Sequence, residues 1–241
     1  MRNLISRAVS RPLTERPFPA TAMISLFRPD QHGVRPGYAF LRLLCKLAFY
    51  TYFRGKVFGV HHVPREGGAV LAANHQSHLD PIVAGVAISR ECGFMARDSL
   101  FHNRYFGRLI RYLNAFPVKR GASDVGALKE LLRRLKQGEL VVIFPAGTRS
   151  LDGSIPPVNA KTLAAAKHAG VPIIPTMIDG AFDAMPRANR IPRPARIHVI
   201  YAQPIAAAEV GAMSAEEIAE AVTQRLLEAQ AVSKRFRARL R

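Results

Sequence analysis

Residues 74–81 read NHQSHLDP, which puts His75, His78 and Asp80 within six positions, directly ahead of Pro81. Three chemistries use such residues. A carboxylate bonded to an imidazole fixes its tautomer and stabilises its protonated form, so His75 with Asp80 would make a general base. His75, His78 and Asp80 could instead begin a metal site. That reading needs further ligands, and the chain offers no second His/Asp/Cys cluster beyond His61 and His62. A polar loop with a purely structural role is the third. Pro81 suits the first position of a helix and Asp80 its N-cap. Five residues along a continuous helix lie about 140° apart. The pair therefore meets only if the loop folds back.

A second cluster, FPAGTRS at 144–150, closes the most apolar stretch of the chain. Pro-Ala-Gly turns the backbone, and Thr148, Arg149 and Ser150 then offer donors suited to an anionic oxygen such as phosphate. It lacks the G-x-x-x-x-G-K-[ST] pattern of a Walker loop. A third, PVKRG at 117–121, ends another apolar run with Lys119 and Arg120. Either basic cluster alone also fits a solvated loop. Together with the His/Asp loop they point to a phosphate-bearing substrate and a proton-abstracting histidine.

Short apolar runs alternate with amphipathic stretches from residue 67 on. Strands are expected at 69–74, 93–97, 115–119, 140–147, 171–178 and 196–205, and helices near 81–90, 100–113, 124–137 and 160–169. This alternation predicts a single layered α/β domain, with a largely parallel central sheet flanked by helices. Loops at the carboxyl ends of such strands are where these folds do chemistry. Ser214 and Glu217 read as a capping box opening a C-terminal helix with Ile218, Val222 and Leu226 on one stripe. Upstream, YAFLRLLCKLAFYTYF at 38–53 sets Arg42 and Lys46 one turn apart among apolar residues, the pattern of a membrane-interfacial helix. A helix that packs on the domain and extends its two cations to water fits as well. The expected organisation is a poorly ordered basic leader over 1–36, the amphipathic membrane helix over 37–58, and the α/β domain with a basic tail over 59–241.

The formal charge is +18 over 241 residues. Residues 1–60 hold ten Lys/Arg against two acids, and the final eight residues add five cations and no acid. Basic ends around a nearly balanced middle suit an anionic surface such as phospholipid. Nucleic acid is not expected as a partner, since no recognition motif accompanies the charge. Cys45 and Cys92 form neither a CxxC pair nor a disulfide framework. No run of about 18 apolar residues predicts a membrane span.

The blocks NHQSHLD, FMARDSLF, NAFPVKRG, LVVIFPAGTRSLDG and VPIIPTMIDGAFDAMPR, in this order, resemble the 1-acylglycerol-3-phosphate (lysophosphatidic acid) acyltransferase family and cover roughly residues 60–205. The resemblance implies that His75 is the base and Asp80 its orienting partner. His75 would deprotonate a lysophospholipid hydroxyl that attacks the thioester of acyl-CoA or acyl-carrier protein, with no covalent acyl-enzyme, no metal and no other cofactor. It assigns Arg120, Gly147, Thr148 and Arg149 to the acceptor phosphate, with Asn74, Lys119, Ser150 and Pro175 in support. His78 falls at a variable position and is read as a bystander. The implied setting is the cytoplasmic face of the membrane, as a peripheral or monotopic protein. Two departures stand out. The third block of the family reads Phe-Pro-Glu-Gly-Thr-Arg, where this chain has Ala146. Asn159 stands near an expected lysine, with Lys161 close by.

Overall fold

A computed structural model describes residues 33–119, 125–189 and 191–238. Nearly all of the expected leader therefore lies outside the described residues, as does Arg120.

Seven strands form one sheet: β1 (Lys56–Phe58), β2 (Ala69–Ala73), β3 (Cys92–Arg97), β4 (Ala115–Val118), β5 (Leu140–Ile143), β6 (Ile173–Asp179) and β7 (His198–Tyr201). Their order is β1-β7-β6-β2-β5-β3-β4, and every neighbouring pair is parallel except β6 with β7. All six expected strands form; β1 is additional. Strands β5, β3 and β4 lie on one side of β2 and β6 on the other, so the strand order reverses at β2. A crevice opens at the carboxyl ends beside such a reversal.

Burial on both faces explains the apolar runs. Val70, Ala72, Val141, Ile143 and Met177 pack on one side against α4 (Val125–Lys136), α5 (Ala160–Ala169) and α8 (Ala215–Ala238), through Leu131, Leu163 and Leu226. The alternate residues Leu71, Ala73, Val142, Ile174 and Ile178 face α1 (Pro36–Thr51) and α2 (Asp80–Gly85) through Phe49, Val83 and Ala84. The remaining helices are α3 (Arg104–Tyr112), α6 (Ala181–Ala184) and α7 (Ala207–Ala212). The capping box of α8 forms as expected, with the Ser214 N–H donating to Glu217 at 2.7 Å and the Glu217 N–H donating to Ser214 Oγ at 3.1 Å.

Helix α1 differs from its expected form in two ways. It stops at Thr51, short of residue 58. Arg54 takes a φ of 43°, and Gly55 follows where a Cβ would sit 2.3 Å from the Phe49 ring. The chain then turns into β1, with Lys56 in register with His198. The helix is also turned around. Tyr38, Arg42, Lys46 and Phe49 face the domain, while Phe40, Leu44 and Leu47 face outward. Arg42 Nη1 donates to the Arg90 carbonyl at 3.0 Å, and the guanidinium lies 5.5 Å from the centre of the Tyr38 ring. Among the described residues no helix is long and apolar enough to cross a membrane.

Helix α8 is fastened to the sheet by a buried polar chain. The Ser233 hydroxyl donates to Asp179 Oδ2 at 2.6 Å, so the 2.8 Å contact from His198 Nδ1 to Ser233 Oγ is a donation by the imidazole. Arg237 adds bonds to Asp179 and Asp183. Burial holds the His198 pKa down at about 4, outweighing the nearby Asp179 carboxylate; Arg237, Lys56 and Arg196 push the same way as burial. An unfolded chain binds that proton near pH 6.5. The native state is therefore favoured above pH 6.5 and loses up to about 3 kcal/mol as pH falls from there through 4. Urea midpoints at pH 7 and pH 4.5 should show this loss, and His198→Gln should flatten it. An equal slope in both proteins would mean that other groups carry the acid sensitivity.

Candidate active site

Strand β2 ends at Ala73, and Asn74 extends its pairing by one residue with a side chain in place of a backbone. Asn74 Nδ2 donates to the Ile178 carbonyl at 2.9 Å, and Asn74 Oδ1 accepts from the Ile178 N–H at 2.7 Å. The chain can then leave the sheet without stranding the polar groups of β6. His75 is the next residue and starts the loop.

That loop folds back, as contact between the pair requires. Asp80 Oδ2 accepts from His75 Nδ1 at 2.7 Å, from the Gln76 N–H at 2.6 Å and from the Ser77 N–H at 2.7 Å. Asp80 is fully buried, and the His75 side chain is 19% exposed. A buried carboxylate oxygen with three donors holds both the loop and the ring. Because the carboxylate accepts, Nδ1 carries the ring proton and Nε2 keeps its lone pair. Asp80 thus differs from the N-cap expected of it. Leu79 takes the cap position, and the Asp80 side chain points back along the loop instead of forward to the helix amides. Two backbone N–H groups and an imidazole outbid the amides of a six-residue helix.

The second cluster borders this loop. The Ser150 N–H donates to the His75 carbonyl at 2.9 Å, and the Phe144 ring stacks on the imidazole at 4.1 Å. Between them the Gly147 N–H closes a turn onto the Phe144 carbonyl at 2.9 Å. Gly147 has a φ of 71° with open space around it, so conformation and not crowding favours glycine there. Thr148 is exposed and Arg149 half-buried. Arg149 Nη1 donates to His78 Nε2. Burial, then Arg149, then His75 lower the His78 pKa. His78 is therefore the contact of Arg149, a role its variable position did not reveal. The remaining loop residues are pinned too: Gln76 Nε2 donates to the Gly153 carbonyl at 2.5 Å and Ser77 Oγ to the Met185 carbonyl at 2.7 Å.

The other expected residues fall into three places. Both donors of Ser150 are spent inside the protein, since its hydroxyl donates to Asp152 at 2.8 Å. Lys119 is exposed beyond the end of β4, three strands from β2 and so roughly 14 Å away along the sheet edge. Pro175 sits inside β6, in register with Ala72, and its carbonyl accepts from the Ala202 N–H at 2.8 Å. Its backbone is thus part of the sheet. Asn159, at the second departure, is the N-cap of α5. Its side chain accepts from the Lys161 N–H, and its N–H donates to the Pro145 carbonyl at 3.2 Å. Lys161 is exposed. Among the described residues no three His, Cys, Asp or Glu side chains gather as metal ligands.

Comparison with known proteins gives the same fold and a family. The solved 1-acyl-sn-glycerophosphate (LPA) acyltransferase of Thermotoga maritima matches with a TM-score of 0.68 over 89% of this chain and 87% of its own, at 23% identity. The 1-acyl-sn-glycerol-3-phosphate acyltransferase of Bacillus subtilis is 27% identical over 172 residues, 71% of this chain and 83% of that protein. Its counterpart from Streptococcus pneumoniae is 29% identical over 194 residues, 74% of this chain and 70% of that protein. The acyltransferase family model matches residues 54–179, from just ahead of β1 to the end of β6. That span is more than half the chain and holds both the reversal at β2 and the loop hung from it, and by it this enzyme belongs to the acyltransferase family.

Proposed function

We propose that the enzyme moves a fatty acyl group from a thioester, acyl-CoA or acyl-carrier protein, to the free hydroxyl of a lysophospholipid, foremost 1-acylglycerol-3-phosphate, giving phosphatidic acid. The observation that carries this reading is the His75–Asp80 bond, which leaves His75 Nε2 as an oriented base. The names of the relatives from Bacillus subtilis and Streptococcus pneumoniae support the acceptor. Nε2 takes the proton of the acceptor hydroxyl as its oxygen adds to the thioester carbonyl. The tetrahedral adduct expels the thiolate, and the imidazolium returns the proton to sulfur. Asp80 holds the ring and stabilises the imidazolium between these steps. No acyl-enzyme forms.

Arg149 and the donors of Thr148 bind the acceptor phosphate, Gly147 gives the turn that presents them, and Arg120 and Lys119 add positive charge toward it. In their absence from the phosphate, His78 keeps Arg149 in place. The work is done at the cytoplasmic face of the membrane, with α1 on the lipid. Ala146 in place of the family's glutamate favours a second acceptor class, another lysolipid or an amino-acid lipid.

Thiol release from long-chain acyl-CoA, and from acyl-carrier protein, tests the reading. Release should depend on acceptor and favour lysophosphatidic acid over a headgroup-bearing lysolipid. Preference for the latter would move the assignment to the second class. Release with neither, even for Ala146→Glu, would leave a lipid-binding protein without turnover. Arg149→Ala should raise KM for lysophosphatidic acid about tenfold to a hundredfold, the scale of a lost charge-assisted bond, with little effect on neutral monoacylglycerol. Equal effects on both acceptors would remove Arg149 from the phosphate.

A further inference from the structure

Helices α1, α2 and α3 cover the same face of the sheet. Cys92 and Phe94 of β3 join the core under α1 and α2, while Phe94, Ala96 and Ala115 carry α3 through Ile110. Cys92, Phe94 and Ala96 alternate along one strand and so point to one side. At one end α1 and α3 touch. A Cβ on Gly37 would fall 2.4 Å from the Tyr112 hydroxyl, and the Arg35 guanidinium lies 4.7 Å from the centre of the Tyr112 ring.

The outer side of this layer is apolar on both long helices. Phe40 is 59% exposed on α1, with Leu44 and Leu47 on the same stripe. Tyr105 is 81% exposed on α3, with Leu109 and Tyr112 beside it. Helix α3 also carries Arg104, Arg108 and Arg111, all exposed, and no acid. Its core contact is limited to Gly107 and Ile110, yet it is capped firmly by Asn103, which accepts from the Tyr105 and Phe106 N–H groups. The helix α8 across the sheet shows the opposite dress, with Glu216, Glu220, Gln224 and Glu228 outward.

We propose that α3 is a second bilayer contact, joined to α1 in one docking face that prefers anionic lipid. This rests on the membrane setting proposed above and adds to it a second helix and a lipid charge. Tyr105 and Leu109 enter the headgroup boundary, where amphipathic aromatic rings settle. Arg104 and Arg108 lay their stems along the same boundary and meet lipid phosphate. A second copy of the chain fits this face poorly. Two-fold pairing would set arginines against arginines, whereas interface cores are depleted in charge.

Flotation of the full chain with vesicles of phosphatidylcholine, alone or with phosphatidylglycerol at about three to one, tests this. Y105S/L109S should lower binding to the anionic vesicles about tenfold or more, the scale of two exposed apolar side chains returned to water. R104Q/R108Q should lower binding only to the phosphatidylglycerol vesicles and weaken its salt dependence. Thermal melting should not move, because these side chains face outward. If F40S/L44S loses binding while both α3 variants float like the parent, the contact is α1 alone and the proposal falls. If the parent binds neither vesicle, the membrane setting itself falls. If Y105S/L109S turns a dimer into a monomer by light scattering without changing flotation, the face belongs to a second copy.

Discussion

His75→Ala lowers turnover by about a thousandfold, within the range a positioned general base contributes, while the protein keeps its fold. The expected separation of activity from stability follows from what His75 touches. Its ring bonds Asp80 and stacks on Phe144, but the carboxylate keeps the Gln76 and Ser77 N–H groups as partners when the ring is gone. The cost in stability is therefore about 1–2 kcal/mol. Acceptor-dependent thiol release, measured beside thermal melting, checks both halves. Turnover within a few-fold of the parent would remove His75 from the chemistry. A collapsed melting transition would make the loop, not the base, the reason for the loss.

Asp80 separates the same two effects from the other side. In Asp80→Asn the amide oxygen can still accept from the two loop N–H groups. The same oxygen, standing in the place of Oδ2, also keeps His75 Nδ1 as a donor, but the negative charge that stabilises the imidazolium is gone. Turnover should fall about a hundredfold to ten-thousandfold, with melting nearly unchanged. Asp80→Ala should lose that activity and also leave both N–H groups buried without a partner, at about 1–3 kcal/mol each. Equal activity in the Asn and Ala variants, with equal melting, would contradict the hydrogen-bond pattern from which these expectations come.

The strands were readable because burial on both faces writes them as unbroken apolar runs, as in Leu140–Ile143. The His75–Asp80 pair was readable because its residues lie five apart and a proline marks the helix that follows. Contacts between loops distant in sequence were not. His78 with Arg149 and the Ser150 N–H with the His75 carbonyl depend on β2 and β5 being neighbours, a fact of topology rather than of pattern. Strand β1 was hidden by its length, since three residues carry no period. The orientation of α1 was hidden for another reason. Arg42 and Lys46 have long aliphatic stems, so either side of that helix could be the buried one. Contacts such as those of Arg42 with the Arg90 carbonyl and the Tyr38 ring decide it. Asp80 looked like an N-cap because the sequence shows which groups a carboxylate could reach, not which of them compete.

The edge strand β1 also bears on how the protein is made. Among the described residues Lys56–Phe58 has one neighbour in the sheet, β7, and β7 comes latest in the chain of the described strands. Pairing across so much intervening chain closes late. Helix α1, with Phe40, Leu44 and Leu47 outward, is thus synthesised well before the strand that follows it has a partner. For most of translation the carboxyl end of this segment lacks its sheet partner, and apolar surface exposed at that stage is what makes an unfinished chain prone to aggregate.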